Sequence, residues 1–333
     1  MNPQEDWKQR PLVEAIVVVT GLYLLFRIFC IITDPPYVVQ LIGIAFIPFC
    51  IWIVPAVDRR MSNGKWLRVH RNSLEPDETP IKFYNTRWWN VLVYLMITVI
   101  TFTAIHFLVI YMHELSHSFM AYFLGAKENP LDIIWGRSIF AVACDENVDY
   151  QSLFSAGKGT TAAIIAFAGP LSNIILFVIT AILISLRSIK EHPWVYHAVF
   201  WTLATTFIMI FEYVFTRSFM TGDDFGNIEH GLGLSPYSIF IPGTILGLIC
   251  LWYIFTVLVP DHYRLVTPFE LSKQYITIAS VSFVFFLLYI GVRINAYPSF
   301  PEWFFGLIGI FALFLIPVLV SPMRRWVQKR TGE

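Results

Sequence analysis

Charged residues are scarce in this chain. Only 14% of its 333 residues are Asp, Glu, Lys or Arg, whereas 56% are hydrophobic, and the mean hydropathy is +0.63. These values lie outside the range of soluble globular domains. The formal net charge is zero, so there is no basic excess of the kind that binds nucleic acid. The composition predicts an integral membrane protein that is surrounded by the lipid bilayer and has no nucleic-acid partner.

Cysteine is also scarce, and the chain has no CxxC pair. The four cysteines, Cys30, Cys50, Cys144 and Cys250, are far apart in sequence, which argues against a disulfide framework and against a cysteine metal site. The start does not have the pattern of a removable signal peptide, because the polar residues 2–10 lead into a long apolar run without a small-residue cleavage site. We expect this first segment to be a retained anchor.

Long apolar segments dominate the rest of the sequence. A spanning helix needs about 20 mostly apolar residues, and about eight segments meet that rule. They are residues 11–33, 36–57, 88–112 (continuing to about 124), 160–186, 195–220, 237–259, 270–293 and 302–321. The predicted fold class is therefore an all-α polytopic membrane protein, multi-pass and most simply placed in the cell membrane.

Two connections between these segments are long enough to hold structure of their own. The first, residues 58–87, is polar and basic. The second, residues 125–159, contains the stretch DIIWGRSIFAVAC, which predicts two short strands that turn at Gly136 and Arg137. We therefore expect a small β-hairpin in this loop.

Two histidines and a glutamate stand in the sequence HELSH, residues 113–117. They follow 25 residues, Trp88–Met112, that contain one histidine and no charge. Histidines four residues apart lie on one helical face and can bind the same metal ion, and Glu114 can reach a water there as a general base. The alternative is a set of polar residues that bond to neighbouring helices. For the preceding histidine, His106, such a helix contact is the favoured interpretation.

A zinc site with two histidines and an open position needs a third protein ligand. If HELSH lies towards one membrane face, the alternation of the next two segments brings MTGDDFGNIEH, residues 220–230, to the same face. Asp223 and Asp224 are the first candidates, and one of them is expected to cap a helix. Weaker candidates are Glu212, Glu229 and His230.

The sequence FAGPLSN, residues 167–173, lies a turn or two into the helix between these motifs. Gly169 allows close approach of a neighbouring backbone, Pro170 removes one backbone hydrogen bond, and Asn173 offers an amide at similar depth. Because glycine and proline in transmembrane helices are often only packing features, Asn173 is a site candidate beside that simpler interpretation.

Taken together, these motifs resemble the site-2 protease family of intramembrane zinc metalloproteases. The resemblance covers about residues 88–230 and is carried by HELSH late in one helix, a strand-bearing loop, FAGPLSN in the next helix and an aspartate after a third. It implies a three-helix catalytic core, Zn²⁺ as the cofactor and a transmembrane protein as the substrate. The implied roles are His113, His117 and an aspartate as metal ligands, Glu114 as the group that activates water, and Asn173 as a support for substrate or oxyanion.

The choice of aspartate rests on the motif around it. Taking Asp224 as the ligand places Gly226 and Ile228 where the family pattern has its second glycine and an aliphatic residue. Asp223 is the fallback, since this chain lacks the Asn-Pro that precedes the acidic motif in the family.

The resemblance also divides the chain into three segments. Residues 1–87 form an N-terminal transmembrane hairpin with a basic loop, residues 88–235 form the catalytic core, and residues 236–333 form C-terminal helices with a basic tail. The basic residues lie mainly on the face opposite HELSH, which the positive-inside rule would make cytoplasmic. Family members usually open the zinc site towards the cytoplasm, so the orientation stays open.

The predicted function is that of a zinc-dependent intramembrane endopeptidase that cleaves in or near transmembrane segments. The hairpin could hold an unwound substrate by β-augmentation, or it is an ordinary loop hairpin. The alternatives are a transporter or ion-pathway protein that uses the same His, Glu and Asp cluster, and a catalytically silent binding protein. A prenyl-protein (CAAX) type protease would need Glu212 as its third ligand.

Overall fold

The structure, a computed structural model, describes residues 37–61, 88–137, 142–296 and 300–332 and is mostly helical. Within these residues, six helices are long and apolar enough to cross a bilayer. They are Val39–Asp58, Trp89–Phe123, Gly159–Ser185, Pro193–Arg217, Tyr237–Val266 and Leu271–Gly291. The chain is therefore a multi-pass membrane protein.

The prediction of about eight spans is confirmed for these six. The predicted span 11–33 lies outside the described residues. The predicted span 302–321 corresponds to a shorter apolar helix, Trp303–Leu319, that follows Pro301. Since Pro301 lacks a backbone N–H donor and favours the start of a helix, the helix begins only after it.

The helices follow one another with short π-helical turns inside several of them. In chain order the α-helices are α1 (Tyr37–Pro48), α2 (Val54–Met61), α3 (Trp88–Phe123), α4 (Tyr150–Ser155), α5 (Gly159–Ser185), α6 (Arg187–Lys190), α7 (Pro193–Glu212), α8 (Asp224–Leu232), α9 (Tyr237–Tyr253), α10 (Val259–Val266), α11 (Leu271–Ser282), α12 (Arg293–Ala296), α13 (Glu302–Leu319) and α14 (Arg325–Thr331). The π-helical segments are π1 (Phe49–Ile53), π2 (Tyr213–Arg217), π3 (Ile254–Leu258) and π4 (Phe283–Gly291).

These elements form two compact units that draw on separated stretches of chain. One unit comprises the described parts of Met1–Thr98, Phe255–Leu287 and Ile310–Glu333. The other comprises Val99–Ile254 and Leu288–Gly309 and contains all the site residues predicted above.

A two-stranded sheet lies in the loop after α3, as predicted. Strand β1 (Ile134–Arg137) pairs antiparallel with β2 (Val142–Asp145), with Trp135 opposite Cys144 and Arg137 opposite Val142. The predicted turn at Gly136 and Arg137 is wrong, since both residues belong to β1. Gly136 has a φ of 60° and uses the left-handed conformation inside the strand, where glycine carries no steric penalty.

Helix α5 forms the centre of the second unit, where it packs against α7 and α8. Small residues permit this, since a Cβ on Gly159 would lie 2.9 Å from the carbonyl oxygen of Gly231 in α8. Helix α8 is capped by Asp223 and ends at Gly233, whose φ is 65°. The short helix that carries Asp224 is thereby fixed against α5.

The first unit has a buried carboxylate at its centre. Asp58 is 3% exposed and accepts hydrogen bonds from the hydroxyls of Tyr275, at 2.7 Å, and of Ser321. Its other oxygen lies 3.7 Å from Nε of Arg324. One side chain therefore joins three separated stretches of this unit.

Replacing Asp58 with alanine is expected to lower the free energy of unfolding by about 3–5 kcal/mol, because the hydroxyls of Tyr275 and Ser321 lose this acceptor and Arg324 loses a nearby opposite charge. Thermal unfolding in detergent would measure the loss. The matched control is Ser321→Ala, which removes one hydroxyl and should cost about 1 kcal/mol. Equal shifts in Tm for the two variants would contradict the assignment of Asp58 as the central group.

Candidate metal centre

Three buried side chains from two helices converge on one point in the second unit. Nε2 of His113 lies 3.1 Å from Nε2 of His117 and 3.0 Å from Oδ2 of Asp224, and Nε2 of His117 lies 3.4 Å from Oδ1 of Asp224. The histidines are 1% and 0% exposed and the aspartate 8%. These three residues form a group that could hold a metal ion.

The spacing of these atoms matches the demands of a small cation. Zinc binds imidazole nitrogen and carboxylate oxygen at about 2.0–2.2 Å in tetrahedral geometry, which places ligand atoms roughly 3.3 Å apart. The observed separations of 3.0, 3.1 and 3.4 Å fall around that value. The donor set of two imidazoles and one carboxylate also leaves a fourth position for water or substrate.

Contacts behind the histidines orient their metal-facing nitrogens. Nδ1 of His117 donates to the backbone carbonyl of Ile165, at 2.7 Å, so the hydrogen of the neutral ring sits on Nδ1 and the Nε2 lone pair faces the site. On His113, Nδ1 lies 3.0 Å from Nδ2 of Asn173, an amide nitrogen that donates. When Nε2 of His113 binds a metal, Nδ1 carries the ring hydrogen, so the amide of Asn173 must turn its oxygen towards the ring to accept it.

Gly169 lets α5 pass directly against the two histidines. A Cβ built on this residue would overlap Nε2 of His117 and lie 2.7 Å from Nε2 of His113. The sequence predicted a close approach at Gly169, and the structure shows imidazole rings, not backbone, as the approaching groups. Any larger residue at this position would occupy the space of the ligand nitrogens.

The two neighbouring aspartates have different positions. Asp224 is the first residue of α8 and faces the histidines, whereas the side chain of Asp223 caps α8 by accepting from the backbone N–H of Asp224, at 2.9 Å. Asp223 also accepts from Nη1 of Arg217, at 3.0 Å. The structure thus brings Asp224 into the group and gives Asp223 the capping role expected for one of the pair.

Electrostatics keep the candidate carboxylate ligand ionised. Burial alone would raise the pKa of Asp224, but His117 and His113 lower it by more, so the pKa lies well below its ordinary value. For Asp223, burial raises the pKa, although Arg217 opposes the shift. The anionic form of Asp224 is the form that can bind a cation.

Glu114 lies beside this group without being one of its three members. It is 8% exposed and interacts electrostatically with His117, Glu146 and Asp224. A carboxylate next to the ligands but outside them has the placement of a general base.

The weaker candidates for the third ligand are not members of this group within the described residues. Glu212 forms ion pairs with Arg217, at 2.8 Å, and with Arg293, and it accepts from the hydroxyl of Thr216, at 3.1 Å. For Glu229, burial raises the pKa to about 7. The ring of His230 contacts Phe154, with centroids 4.3 Å apart.

The helix contact predicted for His106 is present. Nδ1 of His106 lies 2.7 Å from the hydroxyl of Tyr289. Within the described residues, His106 is not a member of the group that could hold a metal.

Three residues at the site were not singled out from the sequence. Tyr213 stacks on His113 with ring centroids 5.3 Å apart, Arg217 lies over the ring of Tyr213, and the buried Glu146 interacts electrostatically with both histidines. Arg217 could have been noticed in the sequence, because it is a charged residue within an apolar segment. The π-helical turn that orients Tyr213 and Arg217 has no recognisable sequence pattern.

The β-hairpin is anchored next to the site. Trp135 of β1 stacks on Tyr111 of α3, with ring centroids 5.0 Å apart and an interplanar angle of 16°, two residues before His113. Lys127 donates to the backbone carbonyls of Asp132 and Glu146, on either side of the hairpin. The hairpin is therefore held against the helix that carries HELSH.

No protein-family model, curated protein or solved structure matches this chain. Its function is therefore inferred from the geometry of the site.

Replacing Gly169 with alanine is expected to abolish metal binding, because the added methyl group would occupy the space of the histidine nitrogens. The measurement is metal content after supplementation with Zn²⁺. Gly243→Ala is the matched control, since its methyl group would meet the side chain of Val214 and not the ligands. Equal metal content in the two variants would show that Gly169 does not shape the site.

A pair of substitutions at Asn173 tests its role behind His113. Asn173→Ala should weaken metal affinity by about 10- to 100-fold, because it removes the partner of Nδ1. Asn173→Asp should retain affinity, since a carboxylate accepts from Nδ1–H. Competition with a chelator gives both values, and equal losses in the two variants would contradict this role.

Proposed function

We propose that the chain is a zinc-dependent intramembrane endopeptidase, similar to the site-2 proteases, that cleaves within or beside transmembrane segments of other proteins. The observation that carries the proposal is the buried convergence of His113, His117 and Asp224, with Glu114 beside them. The cell membrane is the simplest location for such a protein.

The position of the ligands along the helices supports an intramembrane site. Exposed apolar side chains continue along α3 on both sides of the histidines and along α5 on both sides of Gly169, as expected of surfaces that face lipid. On α3 they are Leu108, Met112, Phe119 and Phe123, and on α5 they are Ile164, Phe167, Leu171 and Ile175. Buried ionisable groups at such a depth are usually functional.

The proposed chemistry is hydrolysis of a peptide bond. Zinc at this site would polarise a carbonyl and lower the pKa of a water to about 7. Glu114 takes a proton from the attacking water as the water oxygen bonds to the carbonyl carbon. Glu114 then passes that proton to the leaving nitrogen as the C–N bond breaks, so one water is consumed and one carboxyl and one amine are formed.

The hairpin offers a means of holding the substrate. A peptide bond in a helix is shielded by the helix's own hydrogen bonds, so it must be unwound before it is cleaved. Strand β1, anchored through Trp135 to α3, could pair with the unwound segment by β-augmentation. We propose a transmembrane protein as the partner that supplies this segment.

The test is zinc content of the detergent-purified protein together with a search for cleavage products. Wild type and Glu114→Gln should each hold about one zinc per chain, and His113→Ala and Asp224→Ala should lose it. Glu229→Gln is the matched control, since it neutralises a carboxylate of α8 outside the group. Membrane-protein fragments detected by mass spectrometry should appear with wild type and fall by about 10²- to 10⁴-fold with Glu114→Gln.

Either of two results would contradict the proposal. If the wild-type protein does not bind zinc, the proposed zinc site is wrong, and an ion pathway through the same polar residues is favoured. Bound zinc with identical fragment patterns for wild type and Glu114→Gln would leave a metal-binding protein without protease activity.

A further inference from the structure

The phenol of Tyr213 lies at the candidate metal centre. Its hydroxyl oxygen is 3.4 Å from Nε2 of His113, the nitrogen that also faces His117 and Asp224. The ring stacks on the His113 imidazole at an interplanar angle of 25°, and 9% of the residue is exposed. A proton donor therefore stands next to the three candidate ligands.

The backbone at Tyr213 is π-helical instead of α-helical. Tyr213 is the first residue of π2, where the α-helical hydrogen bonding of α7 widens by one residue per turn. Such π-helical turns within α-helices are frequent at functional sites, because the widening re-aims the side chains that follow. Here it places Tyr213 and Arg217 on one side of the helix, towards α8.

Arg217 holds the ring of Tyr213 in place. Its guanidinium carbon lies 4.3 Å from the ring centroid, and its nitrogens are fixed by Glu212, at 2.8 Å, and by Asp223, at 3.0 Å. A cation over an aromatic ring is attracted to it and draws electron density from it. The phenol O–H next to Arg217 is thereby a stronger hydrogen-bond donor.

The surrounding groups define what this donor can do. In the metal-binding form, the Asp224 carboxylate and the two Nε2 atoms direct their lone pairs to the cation. The hydroxyl hydrogen of Tyr213 is then available to a carbonyl oxygen held at the site. Donors placed where negative charge develops supply a large share of enzymatic rate enhancement.

We propose that Tyr213 is a further catalytic residue, whose hydroxyl donates a hydrogen bond to the carbonyl oxygen of the scissile peptide as that oxygen gains negative charge. The inference rests on the proposed function and names a residue for the oxyanion role. Tyr213 transfers no proton in this step. Asn173, whose amide contacts His113, acts behind the ligand.

The experiment compares Tyr213→Phe with wild type, since phenylalanine keeps the stacked ring and removes only the hydroxyl. Zinc content and zinc affinity should stay unchanged. Leucine hydroxamate, a probe that presents a charged carbonyl-type oxygen to zinc, should bind the variant about 10- to 100-fold more weakly by titration calorimetry. Tyr237→Phe, at a residue that is 61% exposed, is the matched control and should bind the probe as wild type does.

The outcomes separate this inference from the proposed function. Equal probe affinity in Tyr213→Phe and wild type, both loaded with zinc, would overturn the role of Tyr213 and leave the protease proposal standing. Loss of zinc in Tyr213→Phe would make the tyrosine a metal ligand and would also overturn it. Failure of wild type to bind zinc would remove both proposals. With a cleavable substrate, Tyr213→Phe should lower kcat by about 10²- to 10³-fold with little change in KM.

Discussion

The burial of three polar side chains in one small space is the constraint on which the second unit depends. Two imidazole nitrogens and a carboxylate lie within 3.4 Å of one another in a buried position, where each polar atom needs a partner. A cation would serve as a partner for all three. The surrounding contacts serve the same arrangement, because the carbonyl of Ile165 and the amide of Asn173 hold the two rings in place, and Gly169 leaves the space in which they meet.

A second set of buried charges holds the third candidate ligand in place. Glu212 and Asp223 are matched by Arg217 and Arg293, so the cluster has no net charge, which limits the cost of burying it. Arg217 joins Glu212, at the end of α7, to the residue that caps α8. Since Asp224 is the next residue after that cap, the position of the carboxylate at the metal centre depends on ion pairs that lie outside it.

The helical spans and the His-Glu-His spacing could be predicted because they depend on local periodicity and on the rarity of charge in apolar segments. The preference for Asp224 over Asp223 came from a motif, and the structure places the Asp224 carboxylate against the two histidines. Tyr213 and Arg217 could not be predicted, because a π-helical turn changes the register of a helix without a distinct sequence pattern. The turn placed at Gly136 failed for a related reason, since a glycine in the left-handed conformation can sit inside a strand.

The proposed reaction has two opposing needs, and the position of HELSH in the last third of α3 bears on both. Helix α3 has 36 residues and is about 54 Å long, against about 30 Å of hydrocarbon, and HELSH follows its first 25 residues. A site at mid-membrane would exclude water and would face substrate helices where they are most stable. Near the end of the span, hydrogen bonds of a substrate helix are opened at lower cost, because the terminal turns have water and the edge of β1 as alternative partners. The stacking of Trp135 on Tyr111, two residues before His113, fixes that edge beside the ligands, so in the proposed reaction substrate unwinding and hydrolysis can occur at the same depth.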